Sequence, residues 1–130
     1  MTDINLLTVI IAAIGAFIIS GIWYAALSGE LGKLSKAYAQ NSKMPAWEIA
    51  VELLRSATVA LVIAIIFNKM GVTGLGDALL YGLAMWVAFP FVLLLGSVIH
   101  EKVPLKLAAI HAGDWLLKLV FIAIVVALWN

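Results

Sequence analysis

Four long apolar stretches, separated by short polar segments, constrain this chain more than any other feature of its sequence. They cover residues 4–27, 46–67, 77–99 and 105–129. A helix needs about 20 predominantly apolar residues to cross the hydrocarbon core of a bilayer, and each stretch reaches that length. The chain has 130 residues, of which 65% are apolar and only 12% are charged. The sequence therefore predicts a single all-α domain over residues 1–130, built from four transmembrane helices in two hairpins.

The composition also restricts the possible functions. Eight Lys and Arg residues against seven Asp and Glu give a net charge of +1, which does not suit a nucleic-acid binder. The chain contains no cysteine, and Ser20, Ser56 and Ser97 lie in no Ser/His/Asp pattern. The sequence thus predicts no catalytic residue, no metal and no cofactor. An enzyme is the least favoured class, and the bilayer is the expected partner.

The lysines of the three loops are unevenly distributed. The first and third loops share five lysines, the second loop has one, and neither terminus carries a basic residue. The five are Lys33, Lys36, Lys43, Lys102 and Lys106, and the one is Lys69. Because basic loops stay in the cytoplasm, this pattern predicts a protein of the cytoplasmic (inner) membrane with both termini outside the cytoplasm.

The first loop is the only long connection. Leu31, Leu34 and Tyr38 recur in it at helical spacing, which predicts a short helix on the membrane surface. Gly29 and Gly32 favour the alternative, a plain solvated loop.

The second and fourth stretches carry ionisable residues at the same distances from a preceding proline. Pro45 is followed seven and ten residues later by Glu52 and Arg55, and Pro104 at the same distances by His111 and Asp114. Each pair lies on one helix face. The echo is consistent with a duplicated hairpin, although coincidence explains it equally well.

Ionisable side chains form a polar stripe along one face of each of these two helices. They are Glu48, Glu52 and Arg55 on the second helix and His111, Asp114 and Lys118 on the fourth. Charged groups inside a membrane cost about 2.5–3.5 kcal/mol each on insertion scales and usually face the bundle interior. We therefore expect one polar cluster in which Arg55 is paired to a carboxylate, Asp114 or Glu52, and in which Glu52 can instead pair with His111 or Lys118. Trp115 and Glu48 are possible further members.

Three interpretations of this cluster remain open. Glu52, Arg55, Asp114 and Lys118 sum to zero charge, so a closed network could merely hold helices together. A carboxylate or histidine that exchanges a proton would instead serve an ion or proton pathway. A metal site is less favoured, because Arg55 and Lys118 would repel a cation.

Small and aromatic residues give further expectations. Ala12, Ala16 and Ser20 repeat every fourth residue, a spacing that favours close helix approach. This ridge can form the surface of the expected homodimer or higher homo-oligomer, or it can pack inside the protomer against the second or fourth helix. Trp23, Tyr24, Trp47 and Trp129 lie near span ends, where an aromatic belt is expected. Pro90 should kink the third helix.

Several short motifs resemble a family of small bacterial four-helix membrane proteins of unknown function. They are Gly21-x-Trp23-Tyr24, Gly32-Lys33, Glu52-x-x-Arg55-Ser56, Gly96-Ser97 with Glu101 and Pro104, and Ala112-Gly113-x-Trp115. The resemblance covers essentially the whole chain and implies four spans but no activity. It also implies an uncharged residue at position 114, so Asp114 would be a local feature.

The sequence thus indicates a small membrane protein with a buried polar cluster, interpreted as an ion- or proton-coupled transporter or conducting protein. The alternative is a non-transporting structural or assembly-partner protein whose ion pairs only fix helix packing. A solvated cavity that reaches the cluster would favour transport, whereas a dry, closed network would favour the alternative.

The lysine distribution generates a first prediction. A phosphatase fused after Asn130 should be active, and a fluorescent protein that folds only in the cytoplasm should stay dark there, because the five-to-one bias places the termini outside. Fusions to the two termini should agree. Cytoplasmic signal from the C-terminal fusion would contradict the predicted orientation.

Overall fold

The computed structural model describes residues 4–34 and 45–129 and, over these ranges, the chain is helical. Four helices are long and apolar enough to cross a membrane, as the sequence predicts: α1 (Leu6–Ala26), α3 (Ala46–Met70), α4 (Leu75–His100) and α5 (Leu105–Trp129). A short helix, α2 (Ser28–Leu34), follows α1. We call the end where α1 and α4 finish the lysine-rich end, and the opposite end the terminal end.

Local sequence signals set the helix ends. The Asn5 side chain accepts hydrogen bonds from the backbone N–H groups of Leu7 and Thr8 and so caps α1. Pro45 precedes α3 in an extended conformation, which suits its fixed φ. Gly71 ends α3 with a φ of 70°, a left-handed conformation that glycine adopts without a Cβ penalty.

Helix α2 accounts for part of the surface helix predicted in the first loop, and the remainder of that prediction, including Tyr38, lies outside the described residues. Lys106, near the start of α5, donates a 2.6 Å hydrogen bond to the Glu30 carboxylate. This bond and the positive charges of Lys106 and Lys33 lower the pKa of Glu30. The contact fastens α2 to the lysine-rich end of α5.

Helix α5 is the centre of the bundle. It packs against α1, α3 and α4, while α1 also packs against α3. The backbones of α3 and α4, although consecutive spans, do not approach each other closely, and the two helices meet through the rings of Phe67 and Tyr81. A twofold axis relating the two hairpins would make the α1–α5 and α3–α4 contacts equivalent, so this packing gives no support to the duplicated-hairpin hypothesis.

The half of the bundle at the terminal end is a close-packed apolar core. Small residues let the helices approach there: Ala12, Ala16, Ala60, Ala64 and Ala123 are all completely buried. In a bilayer, where lipid is as apolar as leucine, such close backbone contact is a main source of helix association.

This core decides between the two alternatives for the alanine ridge. Ala12 and Ala16 lie inside the protomer, so the ridge that they form cannot serve as the surface of a homodimer. The opposite side of α1 carries the lipid-facing residues, among them Ile10, Ile14 and Ile18. The larger side chains on this side cover the small-residue contact from outside.

Pro90 distorts α4 as expected. Residues Val87–Phe91 form one π-helical turn between two α-helical segments, Leu75–Trp86 and Val92–His100. Proline lacks the N–H that an α-helix would use, and a widened turn accommodates its ring. The π turn lies beside α3 across the gap between these two helices.

The buried ridge gives a second prediction. Ala16→Leu should destabilise the protein by about 1–3 kcal/mol, because the added bulk must separate α1 from its neighbours. The matched control is Ala84→Leu on the exposed face of α4, which should leave stability nearly unchanged. Thermal unfolding in detergent checks both variants, and an equal melting temperature for the two would contradict the packing described here.

Candidate binding cavity

The half of the bundle at the lysine-rich end holds a cavity of about 410 Å³. Helices α1, α3 and α5 form its walls. All five members of the predicted cluster line it, namely Glu52, Arg55, His111, Asp114 and Lys118. Trp115 lines it as well, whereas Glu48 is not among its lining residues. The structure therefore brings the two polar stripes to one space.

The α3 side of the cavity is its exposed side. Glu52 and Arg55 form an ion pair at 2.5 Å along one turn of α3, and their side chains are 31% and 54% exposed. By helical rise they lie roughly 9–14 Å from the start of α3. The pair thus lies within the membrane span and at an open wall of the cavity.

The α5 side is deeply buried. Lys118 donates to Asp114 Oδ2 at 2.9 Å, and the two side chains are only 7% and 3% exposed. The Lys118 ammonium also lies 3.9 Å from the centroid of the Trp115 ring, a cation–π distance. The other carboxylate oxygen, Asp114 Oδ1, is buried without a hydrogen-bond partner among the described residues.

The pairing inside the cluster follows one of the two alternatives expected for Arg55. Arg55 pairs with Glu52 and not with Asp114, so the expected pairing of Glu52 with His111 or Lys118 does not occur. The reason is the spacing within each helix: Glu52 and Arg55 are three residues apart and Asp114 and Lys118 are four apart, so each partner is already on the same helix face. No ion pair among the described residues joins α3 to α5.

Two aromatic residues near the end of α1 contact α5, and one of them, Tyr24, lines the cavity. The Tyr24 hydroxyl is 2.6 Å from His111 Nδ1 and is thus directed to a neighbouring helix. Trp23 is also half-buried and donates from Nε1 to the Ile110 carbonyl at 2.9 Å. Trp47 and Trp129, by contrast, are 67% and 63% exposed, as belt residues would be.

Gly113 is what allows Trp23 to approach α5. A Cβ built on Gly113 would lie 2.5 Å from Cζ2 of Trp23, closer than packed atoms allow. On the other side of α5, Trp86 donates from Nε1 to the Ala112 carbonyl at 2.8 Å. Two indoles from different helices therefore fix α5 within one turn, beside the cavity.

The sequence analysis missed several cavity residues. Phe17, Ser20, Gly21 and Tyr24 on α1 line the space, together with Ser56 on α3. Charge singled out the α3 and α5 residues, and no such signal marks those of α1. The motifs around Trp23 and Gly113 carried the signal, because a small residue opposite a large aromatic residue is what a close helix contact requires.

The cavity is closed toward the terminal end. Beyond Lys118, which lies about 20 Å along α5, the interior residues of the described chain are almost all apolar. They include Ile63, Ala64, Phe67, Ile122 and Val126. The exception is Thr8, whose hydroxyl donates to the Trp129 carbonyl at the far end. Polar groups thus reach the cavity from one end of the bundle only.

A metal site receives no support from this geometry. No group of three or more His, Asp and Glu side chains in residues 4–34 and 45–129 could hold an ion. Lys118 and Arg55 occupy the positions next to the two carboxylates instead.

Comparison with known proteins gives one match. A family described as "Protein of unknown function (DUF1761)" matches residues 7–127, which is nearly the whole chain. Neither a curated protein nor a solved structure shows significant similarity to it.

The buried pair gives a third prediction. Lys118→Met should cost about 3–5 kcal/mol, because it leaves the Asp114 carboxylate uncompensated in a buried site. The double variant Asp114→Leu/Lys118→Met should recover most of that loss. Unfolding of the single and double variants in detergent measures the coupling.

The exposed pair on α3 serves as the control for this cycle. Glu52→Gln should cost no more than about 1 kcal/mol, since an exposed ion pair contributes little. If Lys118→Met were as well tolerated as Glu52→Gln, the burial of the α5 pair would be contradicted.

Proposed function

The chain belongs to the DUF1761 family, to which no activity is assigned, and from its cavity we propose that it is a small proton-coupled transport protein. In this proposal the cavity binds the polar part of a solute that arrives from the lysine-rich end. If the loops are cytoplasmic, as the lysines predict, that end faces the cytoplasm of the cell.

The observation that carries the proposal is the open space among the charged groups. A network that only stabilised the fold would be closed on itself and dry. Here a cavity of about 410 Å³ separates the α3 pair from the α5 pair, and the α3 pair is partly exposed. This is the volume of a small-molecule site, which generally ranges over about 300–1,000 Å³.

The arrangement of the ion pairs argues against a purely structural role. Both pairs are formed within one helix, so neither fastens two helices together. Helix contacts depend instead on indole, tyrosine and small-residue contacts. The charged residues carry a cost in the membrane that helix packing does not require.

Transport fits the one-sided cavity better than conduction does. A conducting pore would need polar groups along the whole bundle, whereas the terminal half is filled by apolar residues. A site that opens to one end at a time requires a second arrangement in which this half opens. Among the described helices, α4 packs closely against α5 alone and so has the fewest neighbouring helices to separate from in such a movement.

Two groups in the cavity can carry a proton. His111 is hydrogen-bonded to Tyr24, and a histidine is the side chain that exchanges protons most readily near neutral pH. The free Oδ1 oxygen of Asp114 is the second acceptor. Protonation at either position would change the charge of the cavity and hence its affinity for a solute.

A homo-oligomer is also part of the proposal. It would have to form through lipid-facing residues, because the Ala12 and Ala16 ridge lies inside the protomer.

A thiol-accessibility experiment tests this proposal and is our fourth prediction. The chain has no cysteine, so Ser56→Cys places a single thiol at the cavity wall. In oriented proteoliposomes, a membrane-impermeant maleimide should label it rapidly from the lysine-rich end. Alternating access requires slower but measurable labelling from the terminal end. A pH gradient should change the ratio of the two rates, and His111→Gln should reduce that change.

Matched variants make the result interpretable. Ala64→Cys lies in the apolar core and should label from neither side in the structure described, while Thr73→Cys in the exposed turn should label only from the terminal end. His100→Gln, exposed at the end of α4, should keep the pH effect. Labelling of Ser56→Cys from the lysine-rich end alone, with or without the gradient, would contradict transport.

A further inference from the structure

A second, apolar space lies next to the polar cavity. It is a groove of about 640 Å³ between α3 and α4, whose backbones do not approach each other closely. Val62, Ile66, Phe89 and Leu93 line it, and each of these side chains is at least 40% exposed. The groove therefore opens sideways toward the bilayer.

The groove adjoins the cavity. Arg55 and Trp115 line both of them, with Arg55 at the partly exposed wall and Trp115 between the two spaces. The guanidinium carbon of Arg55 lies 6.0 Å from the centroid of the Trp115 ring. A molecule lodged across this boundary would have one polar and one apolar part.

The groove has the length of an acyl chain. From Arg55 to Ile66 it extends along α3 for about 16 Å, by the rise of an α-helix. One leaflet of hydrocarbon is about 15 Å thick, half of the bilayer core, so the groove is about as long as one acyl chain. Because Arg55 lies about 14 Å from the start of α3, the groove begins near the bilayer midplane, and a headgroup in the cavity lies deeper than those of the surrounding leaflet.

The hydrogen-bonding groups of the cavity that lack a partner indicate which lipid headgroup it can bind. Asp114 Oδ1 is a buried acceptor that lacks a donor among the described residues, so it calls for an N–H or O–H group. Arg55 donates to Glu52 through Nη1 only, and its remaining N–H groups can bind an anionic oxygen.

The charge balance selects among headgroups. Two cations and two carboxylates line the cavity, so it carries no net charge with His111 neutral. A headgroup with a net charge would leave that charge uncompensated at low dielectric, whereas a zwitterion would not. An ammonium next to Asp114 and a phosphate next to Arg55 satisfy both sites.

We propose that the cavity and groove together bind an amphiphile with one acyl chain in the α3–α4 groove and a zwitterionic ammonium–phosphate headgroup in the polar cavity. This inference rests on the proposed transport function, because it names the substrate class of that same site. The ammonium must carry at least one N–H group, because Asp114 Oδ1 accepts a hydrogen bond from it. The phospholipid class that meets these requirements has an ethanolamine-type headgroup.

A methylation series of headgroups is the test and our fifth prediction. The wild-type protein is equilibrated in bicelles with equal amounts of four phospholipids that share the same acyl chains. Their headgroups are ethanolamine, N-methylethanolamine, N,N-dimethylethanolamine and choline. Native mass spectrometry separates them by mass. The first three keep an N–H donor and should be retained, while the choline lipid should be retained about tenfold less, the effect of one hydrogen bond to a charged group.

Variants assign the two halves of the site. Val62→Trp fills the groove and should reduce retention of all four lipids, whereas Ile18→Trp, at an exposed position of α1, should not. Asp114→Asn should reduce the discrimination against choline while lipid is still retained. Should Asp114→Asn fail to fold, the wild-type series and the two tryptophan variants still decide the matter.

Three results would overturn the inference. One is equal retention of the four lipids by the wild-type protein. Another is stronger retention of an anionic phosphatidylglycerol with the same chains than of the ethanolamine lipid. The third is a lipid-free dimer that Val62→Trp dissociates, which would assign the groove to a second copy of the chain. Selective retention of the lipids that carry an N–H group, without labelling of Ser56→Cys from both sides, would support the ligand class and refute transport. Labelling from both sides without selective retention would support transport and refute the ligand class.

Discussion

Two hydrogen bonds from indole N–H groups to backbone carbonyls hold the centre of this bundle. Trp23 and Trp86 approach α5 from α1 and α4 and donate to the carbonyls of Ile110 and Ala112. A buried indole N–H needs an acceptor, and a helical carbonyl keeps a second lone pair that can provide it. Gly113 makes room for the first of these rings. Because both bonds fall within one turn of α5, they also fix the rotation of this helix about its axis. That rotation turns its polar stripe toward α3.

The bundle is divided along its length by side-chain size. In the terminal half, alanines bring the backbones together and leave no room for a cavity. In the lysine-rich half, Trp23, Tyr24 and Trp115 replace them and hold the helices apart while their polar atoms or ring faces reach partners. The same four helices thus form a sealed core at one end and a cavity at the other. Packing in a membrane permits this because close contact and side-chain hydrogen bonds, not burial from water, drive the association.

Much of this arrangement could be predicted from the sequence, and the remainder depended on tertiary contacts. Apolar length identifies the four helices, and helical spacing places Glu52, Arg55 and Asp114 on inward faces. The partners of these groups could not be inferred, since spacing alone does not show whether a side chain turns along its own helix or across to the next. Nor could the roles of Trp23 and Tyr24, because a residue at a span end has the same sequence context whether it meets headgroups or a neighbouring helix. Small-residue spacing likewise predicts a close contact of the alanine ridge but not whether the helix that it meets belongs to the same protomer.

The intrahelical pairing of the charges has a consequence for movement. If Arg55 were bound to Asp114, any separation of α3 from α5 would pull opposite charges apart in a medium of low dielectric constant, at a large energetic cost. In the observed arrangement each helix carries its own counter-ion, Glu52 for Arg55 and Asp114 for Lys118. Each helix is therefore electrically neutral at this level, and the two can slide or tilt past each other while every charge stays compensated. Pairing within each helix therefore lowers the electrostatic barrier to a movement of α3 relative to α5.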